Sequence, residues 1–353
     1  MAESANATSV PLNLFLAHSP FQYFVACHMV NSMPEFGQGS NCLIVDAVWS
    51  DVRVDKAGWH EVIICDPPVG GSVVGAGVRL RSVVGQVMGL FDPPRPASLF
   101  LANVQWPLNN VLRAALVRRR FATPLQVCNY PEGIGSLRLV YPDRRQHLRD
   151  AMKSALGWIG GVRYQPLKED LMGLESSARI YSLLPQLLPV HLRSKAVAIP
   201  TFPMSLVVAD QHTCIFLGQN DRLLPPRLRR PLAVAAAAYC CSLPYDRFLF
   251  KSHHYGESEL QREAFVASGF EMLADTRPVE QILMASTAAC VVSFNSSALV
   301  HLKMMYGDRI RCIACFPDRF GELARLRTER VPSVTMLFEK AGVEIFDDES
   351  PRL

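Results

Sequence analysis

No segment of this 353-residue chain approaches the roughly 18 uninterrupted apolar residues that span a bilayer. The opening ten residues lack the basic-then-apolar pattern of a secretory leader. The apolar run Leu12–Ala17 is strand-length and is stopped by His18-Ser19-Pro20. Charge is sparse at 19%, and the net charge of +4 is too mild for a nucleic-acid-binding surface spread over the whole chain. There is no repeat of fixed period and no low-complexity tract, which argues against a solenoid. Cys312 and Cys315 form a lone CxxC inside an apolar run with no second pair, which argues against zinc. The ten cysteines are scattered, and Cys42, Cys65, Cys214 and Cys290 sit in apolar stretches as reduced, buried thiols do. These features predict a cytoplasmic protein.

What is present is ample core material, 49% hydrophobic, over a length that suits two domains. Short apolar runs alternate with helical periods, the signature of parallel sheets wrapped by helices. The spacing predicts strands over Leu12–Ala17, Cys42–Asp46, Glu61–Cys65, Ser98–Val104 and Pro124–Tyr130, with helices Phe21–Met33, Val78–Phe91 and Leu108–Arg119 among them. Between Leu183 and Asp210 the pattern is broken by Pro185, Pro189, Pro200 and Pro203, which predicts a crossing between domains. Periodicity restarts with strands Thr213–Leu217, Arg247–Lys251, Cys290–Ser293 and Arg309–Cys315. The expected domains are residues 1–195 and 205–353, both Rossmann-type α/β, facing each other across a cleft.

Five segments could carry chemistry. After strand Cys290–Ser293, Ser296 and Ser297 open a helix, where hydroxyls, free N–H groups and the helix dipole make an anion site. A helix cap would account for one hydroxyl and leave the other over. Lys251, His253 and His254 follow a strand directly, placed to bind a phosphate or to act as an acid. Glu132 follows strand Pro124–Tyr130 on a loop with Gly133 and Gly135, a candidate general base or a solvated turn residue. Gly218 and Gln219 form a turn after strand Thr213–Leu217. Pro278 places Glu280 in the first turn of a helix, where it could meet a ribose or simply complement the dipole. Separately, Arg118, Arg119, Arg120 and then Arg222, Arg227, Arg229, Arg230 form basic runs, either solvated faces or contacts to an anionic polymer or membrane.

In this order the segments resemble the bacterial sialyltransferases, particularly the lipooligosaccharide sialyltransferases and capsule polysialyltransferases. Pro131-Glu132-Gly133 resembles their acidic-acidic-glycine motif, His253-His254 their His-Pro motif, and Ser296-Ser297 their paired serines. Ser19-Pro20-Phe21-Gln22 is similar to their first helix start, and Phe216–Gln219 to their turn after the first strand of the second domain. The resemblance implies a GT-B fold and inverting transfer of a sialic acid from a CMP donor to a glycan acceptor, in bacterial surface polysaccharide or lipooligosaccharide synthesis. It places Ser296, Ser297 and His253 on the donor phosphate and Glu280 on the ribose. Gly218, Gln219 and Lys251 line the same donor site, while Ser19 and Gln22 fall on the acceptor side. Pro131 stands where the family has its first acid, usually the base, so the resemblance passes that role to Glu132 or to another carboxylate. No metal or other cofactor is implied, and the chain has no Asp-x-Asp pair to hold one. Peripheral attachment to the inner membrane would fall to Arg118, Arg119, Arg120, Arg227, Arg229 and Arg230. A transferase for another CMP-sugar such as Kdo, or a silent nucleotide- or glycan-binding protein, is the alternative.

Overall fold

The computed structural model describes residues 10–46, 54–65, 73–91, 95–119, 124–131, 133, 137, 139, 141–142, 144–166, 170–202, 211–221, 224–253, 257–275, 277–285, 288–319 and 333–347. They form two units, Met1–Pro200 and Thr201–Leu353. In the first, the elements are β1 (Leu12–Ala17), α1 (Pro20–Ser32), β2 (Ser40–Asp46), β3 (Glu61–Cys65), α2 (Val73–Gly89) and β4 (Ala97–Leu101). Then come α3 (Pro107–Arg118), β5 (Gln126–Asn129), α4 (Arg144–Ile159), β6 (Arg179–Ser182) and β7 (Ala196–Ala198). The strands build a parallel, seven-stranded sheet in the order β3-β2-β1-β4-β5-β6-β7.

β1 is buried along its whole length, so it reads as a continuous apolar run, the mark of a strand covered on both faces. Its residues alternate in direction. Leu14 and Leu16 enter a core with Ile44, Leu99 and Leu112. Phe15 points the other way, stacks on Phe100 at 4.3 Å and meets Phe36 edge-on at 5.4 Å.

The second unit holds β8 (Thr213–Leu217), α5 (Pro226–Cys241), β9 (Arg247–Lys251), α6 (Glu259–Ala267), β10 (Glu271–Met272), α7 (Val279–Ala285) and β11 (Cys290–Ser293). It continues with α8 (Ala298–Tyr306), β12 (Arg311–Cys315), α9 (Val334–Lys340) and β13 (Glu344–Phe346). Its parallel six-stranded sheet runs β10-β9-β8-β11-β12-β13. Phe216, Phe250, Phe265 and Phe294 centre its core, with Phe216 and Phe265 only 4.1 Å apart.

Most strands and helices stand where the periodicity places them. The proline-broken stretch differs: β7 lies inside it and completes the first sheet at its edge, where prolines beside short strands cost no ladder bonds. β10 and β13 are also edge strands, too short to carry a period. All ten cysteines are free, and all but Cys27 and Cys241 are buried. Burial pushes the Cys42 and Cys128 thiols up to about 11 and Cys312 to about 12, far from reactive thiolates at neutral pH. Cys312 and Cys315 lie on one strand at a spacing that sends their side chains to opposite faces, so this CxxC cannot close on a metal.

Candidate functional site

In an open parallel sheet the ligand crevice lies at the carboxyl ends of the strands, where the strand order reverses. In the second sheet that point falls between β8 and β11. Gly218 leaves β8 with its N–H donating to the Lys251 carbonyl at 2.8 Å. A Cβ there would lie 2.9 Å from the Phe250 ring and 3.2 Å from the Lys251 oxygen, so only glycine fits. The backbone of Gln219 is held by Gln261 of α6, whose Oε1 accepts from the Gln219 N–H at 3.0 Å and whose Nε2 donates to its carbonyl at 3.2 Å. The Gln219 side chain then reaches Ser293 Oγ at 3.4 Å, across the reversal point. The fully buried Asp221 accepts from both the backbone and the hydroxyl of Ser258, the N-cap of α6.

Lys251 ends β9 half-buried, its Nζ 3.3 Å from the Asp275 carbonyl. Burial pulls its ammonium below the usual lysine value, while the negative charges of Asp275, Glu280 and Glu257 oppose that shift. At His253 the backbone N–H donates to Glu257 Oε2 at 3.0 Å, and Ser252 Oγ donates to Oε1 at 3.1 Å, so one carboxylate folds the strand exit back. His254 lies outside the described residues.

At the start of α8, Ser296 Oγ accepts from the Ala298 N–H at 3.3 Å. Ser297 occupies the cap position with helical backbone angles and makes no side-chain cap bond. Ser296 is therefore the hydroxyl that the helix start uses. Glu280 on α7 is 5% exposed and its Oε1 lies 3.0 Å from Nδ1 of the equally buried His301 on α8. The carboxylate expected on a ribose thus has a protein partner that periodicity alone did not reveal.

The first sheet reverses between β1 and β4. Directly after β1, buried His18 places Nδ1 at 3.2 Å from Asp46 Oδ2, at the end of β2, and Nε2 at 2.5 Å from Asn109 Oδ1 of α3. Asn109 Nδ2 donates to the Asn103 carbonyl, which fixes the amide so that its oxygen faces the ring. Both ring nitrogens therefore face oxygen acceptors. The ring also stacks on Trp106 at 4.9 Å, and Arg79 lies 3.7 Å from Asp46 Oδ1. Ser19 is the N-cap of α1 and accepts from the Gln22 N–H at 3.2 Å. Gln22, 1% exposed, accepts from the His18 N–H at 2.6 Å. Both acceptor-side candidates therefore shape the loop that carries His18. At the exit of β5, beyond β4 in the sheet, Asn129 donates to the Ala102 and Met172 carbonyls and Tyr130 OH to the Leu16 carbonyl. Glu132 lies outside the described residues; Gly133 beside it has φ +134°, a conformation L side chains rarely adopt.

Among the described residues no group of three or more His, Cys, Asp or Glu could hold a metal ion. A surface cavity of about 740 Å³ opens beside Phe202 and the end of α8, at Met304–Arg309, and none of the candidate residues lines it.

No protein-family model matches the chain, and no curated protein sequence does. Among solved structures it is similar to a sialyltransferase from Photobacterium damsela, with TM-score 0.52 and 12% identity over 96% of this chain and 81% of that one. It is also similar to an alpha/beta-galactoside alpha-2,3-sialyltransferase from Photobacterium phosphoreum, with TM-score 0.50 and 10% identity over 95% and 98%. The kitacinnamycin glycotransferase gives TM-score 0.50 and 11% identity over 96% and 86%. The chain has the GT-B fold of bacterial sialyltransferases. At such identities the likeness is one of fold.

Within this GT-B fold, His18, Asp46, Asn109, Gln261, Asp221 and His301 are the polar residues that sequence patterns alone did not single out. One signal was present. Ser19-x-x-Gln22 and Ser258-x-x-Gln261 share the spacing of a capping box, and in each the glutamine turns to a loop at the strand ends. The arginine runs divide. Arg119 donates to the Met88 and Phe91 carbonyls and Arg229 to that of Leu224, while Arg118, Arg227 and Arg230 are exposed. Arg120 and Arg222 lie outside the described residues. No described helix is long and apolar enough to cross a membrane.

Proposed function

We propose that the chain is an inverting glycosyltransferase that moves a sialic acid, or a similar acidic sugar, from a CMP donor to a glycan acceptor in bacterial surface-glycan synthesis. The observation that carries this reading is the convergence at the second reversal point: Gly218 with no room for a Cβ, Gln219 reaching Ser293, Lys251 at the next strand exit, and a helix opened by Ser296 and Ser297. Backbone N–H groups at the start of α8 and the Lys251 ammonium suit a single phosphate, and Gly218, packed on Phe250 and the Lys251 carbonyl, holds the exit of β8 against that of β9. His253 donates to the phosphate as CMP leaves. Glu132, from the first unit, takes the acceptor proton as its oxygen attacks the anomeric carbon from the opposite face. The sugar passes through an oxocarbenium-like state and its configuration inverts. Fixed donors meet the developing phosphate charge, so the reaction needs no metal.

CMP is expected to raise the melting temperature, and UDP to do so much less. At a concentration of about 100 times its dissociation constant, a ligand that binds only the folded state adds about 2.7 kcal/mol. A clear shift with UDP and magnesium, and none with CMP, would remove the basis for a CMP donor.

A further inference from the structure

The outward face of α4 is inverted relative to an ordinary surface helix. Its inward side is polar: Asp150 is fully buried and its Oδ1 accepts from Gln146 at 2.9 Å and from the Tyr164 hydroxyl at 3.2 Å. Its end is fixed by Gly160, which packs against Gly77 of α2 and whose carbonyl accepts from Arg81 at 2.6 Å. At 100° per residue, Leu148, Met152, Ala155 and Ile159 fall on one stripe on the opposite side, where polar residues normally stand. Leu148, Met152 and Ile159 are 58–65% exposed, and Trp158 beside them is 83% exposed. Exposed Val78, next to Gly77, lies on the helix packed against that end.

The charges on this face have one sign. Arg144 and Arg149 are exposed and flank the stripe, while Lys153 lies toward the inward side, its ammonium over the Tyr164 ring at 5.4 Å. The one acid of α4, Asp150, is buried. An apolar crest with an exposed tryptophan and flanking cations matches a surface that is anionic outside and apolar just beneath it. A second copy of the chain would bring the same cations against these and be repelled. At 16 residues the helix is short for spanning but suited to lying in the plane of a membrane.

We propose that α4 is an in-plane anchor that docks the protein on an anionic lipid surface, independently of the function proposed above. The test is co-sedimentation of the full chain with phosphatidylcholine vesicles, with and without about one third phosphatidylglycerol. The wild type pellets with the anionic vesicles, and high salt releases it. Trp158 emission shifts to the blue, a change lost in Trp158→Phe. Leu148→Glu/Met152→Glu keeps the melting temperature and weakens binding by at least about tenfold. Arg149→Ala weakens it by about fivefold. Leu148→Lys/Met152→Lys retains only salt-sensitive contact without the blue shift. Equal binding to neutral vesicles, no binding to anionic ones, or full binding by the glutamate variant overturns the proposal. So does a wild-type dimer that the glutamate variant disperses, because the stripe would then be covered by a second copy.

Discussion

Glu132→Gln is expected to lower sugar transfer by about 100- to 10,000-fold, the usual contribution of a positioned general base. The substitution keeps shape and removes basicity. Glu132 is the only acid of its motif, because Pro131 beside it cannot take a proton. Tyr130 and Pro131 separate it from β5, whose exit is tied down by the Asn129 amide and the Tyr130 hydroxyl, and it precedes a glycine at φ +134°. Rates at saturating donor, set beside CMP melting shifts, check the assignment. CMP affinity stays nearly constant if the nucleotide is held by the second unit alone. Near-normal transfer by the variant would move the base elsewhere, with the His18–Asp46 pair at the ends of β1 and β2 as the next candidate. A loss of CMP affinity would mean that the two units do not divide donor and acceptor as proposed.

His253→Ala is expected to lower turnover by about 100-fold, the effect of losing one donor to a developing charge, or about 2.7 kcal/mol of barrier. Its backbone is anchored to Glu257, so the imidazole sits on a fixed strand exit. His254→Ala should have a milder effect. Turnover and CMP release measured for both variants decide between them, and the opposite ranking would shift the site by one residue.

The parallel sheets were legible because β1, β8 and β11 are buried throughout and so read as unbroken apolar runs. The strand ends were legible too: Gly218 directly follows β8, Lys251 is the last residue of β9, and Ser296 stands just beyond β11. What bound those ends together was not. Gln261 holds Gln219 from 42 positions away, and Asn109 meets His18 from 91. No local period encodes such partners. Glu280 shows the same limit: its place in a helix start was readable, whereas its pairing with His301 depends on how two helices pack. His18 looked like a strand stop because its partners lie on a separate strand, β2, and on helix α3. Helix α4 was legible as a helix, but which of its faces met the protein was not, because the buried face is the polar one.

The most direct measurement is a donor screen with CMP-, UDP- and GDP-sugars, read by release of the free nucleotide with and without a glycan acceptor. Release is expected from CMP-linked acidic sugars alone, accelerated by acceptor and indifferent to a metal chelator. Release from a UDP- or GDP-sugar instead, or binding of CMP without turnover of any CMP-sugar, would contradict the proposed CMP-dependent transfer.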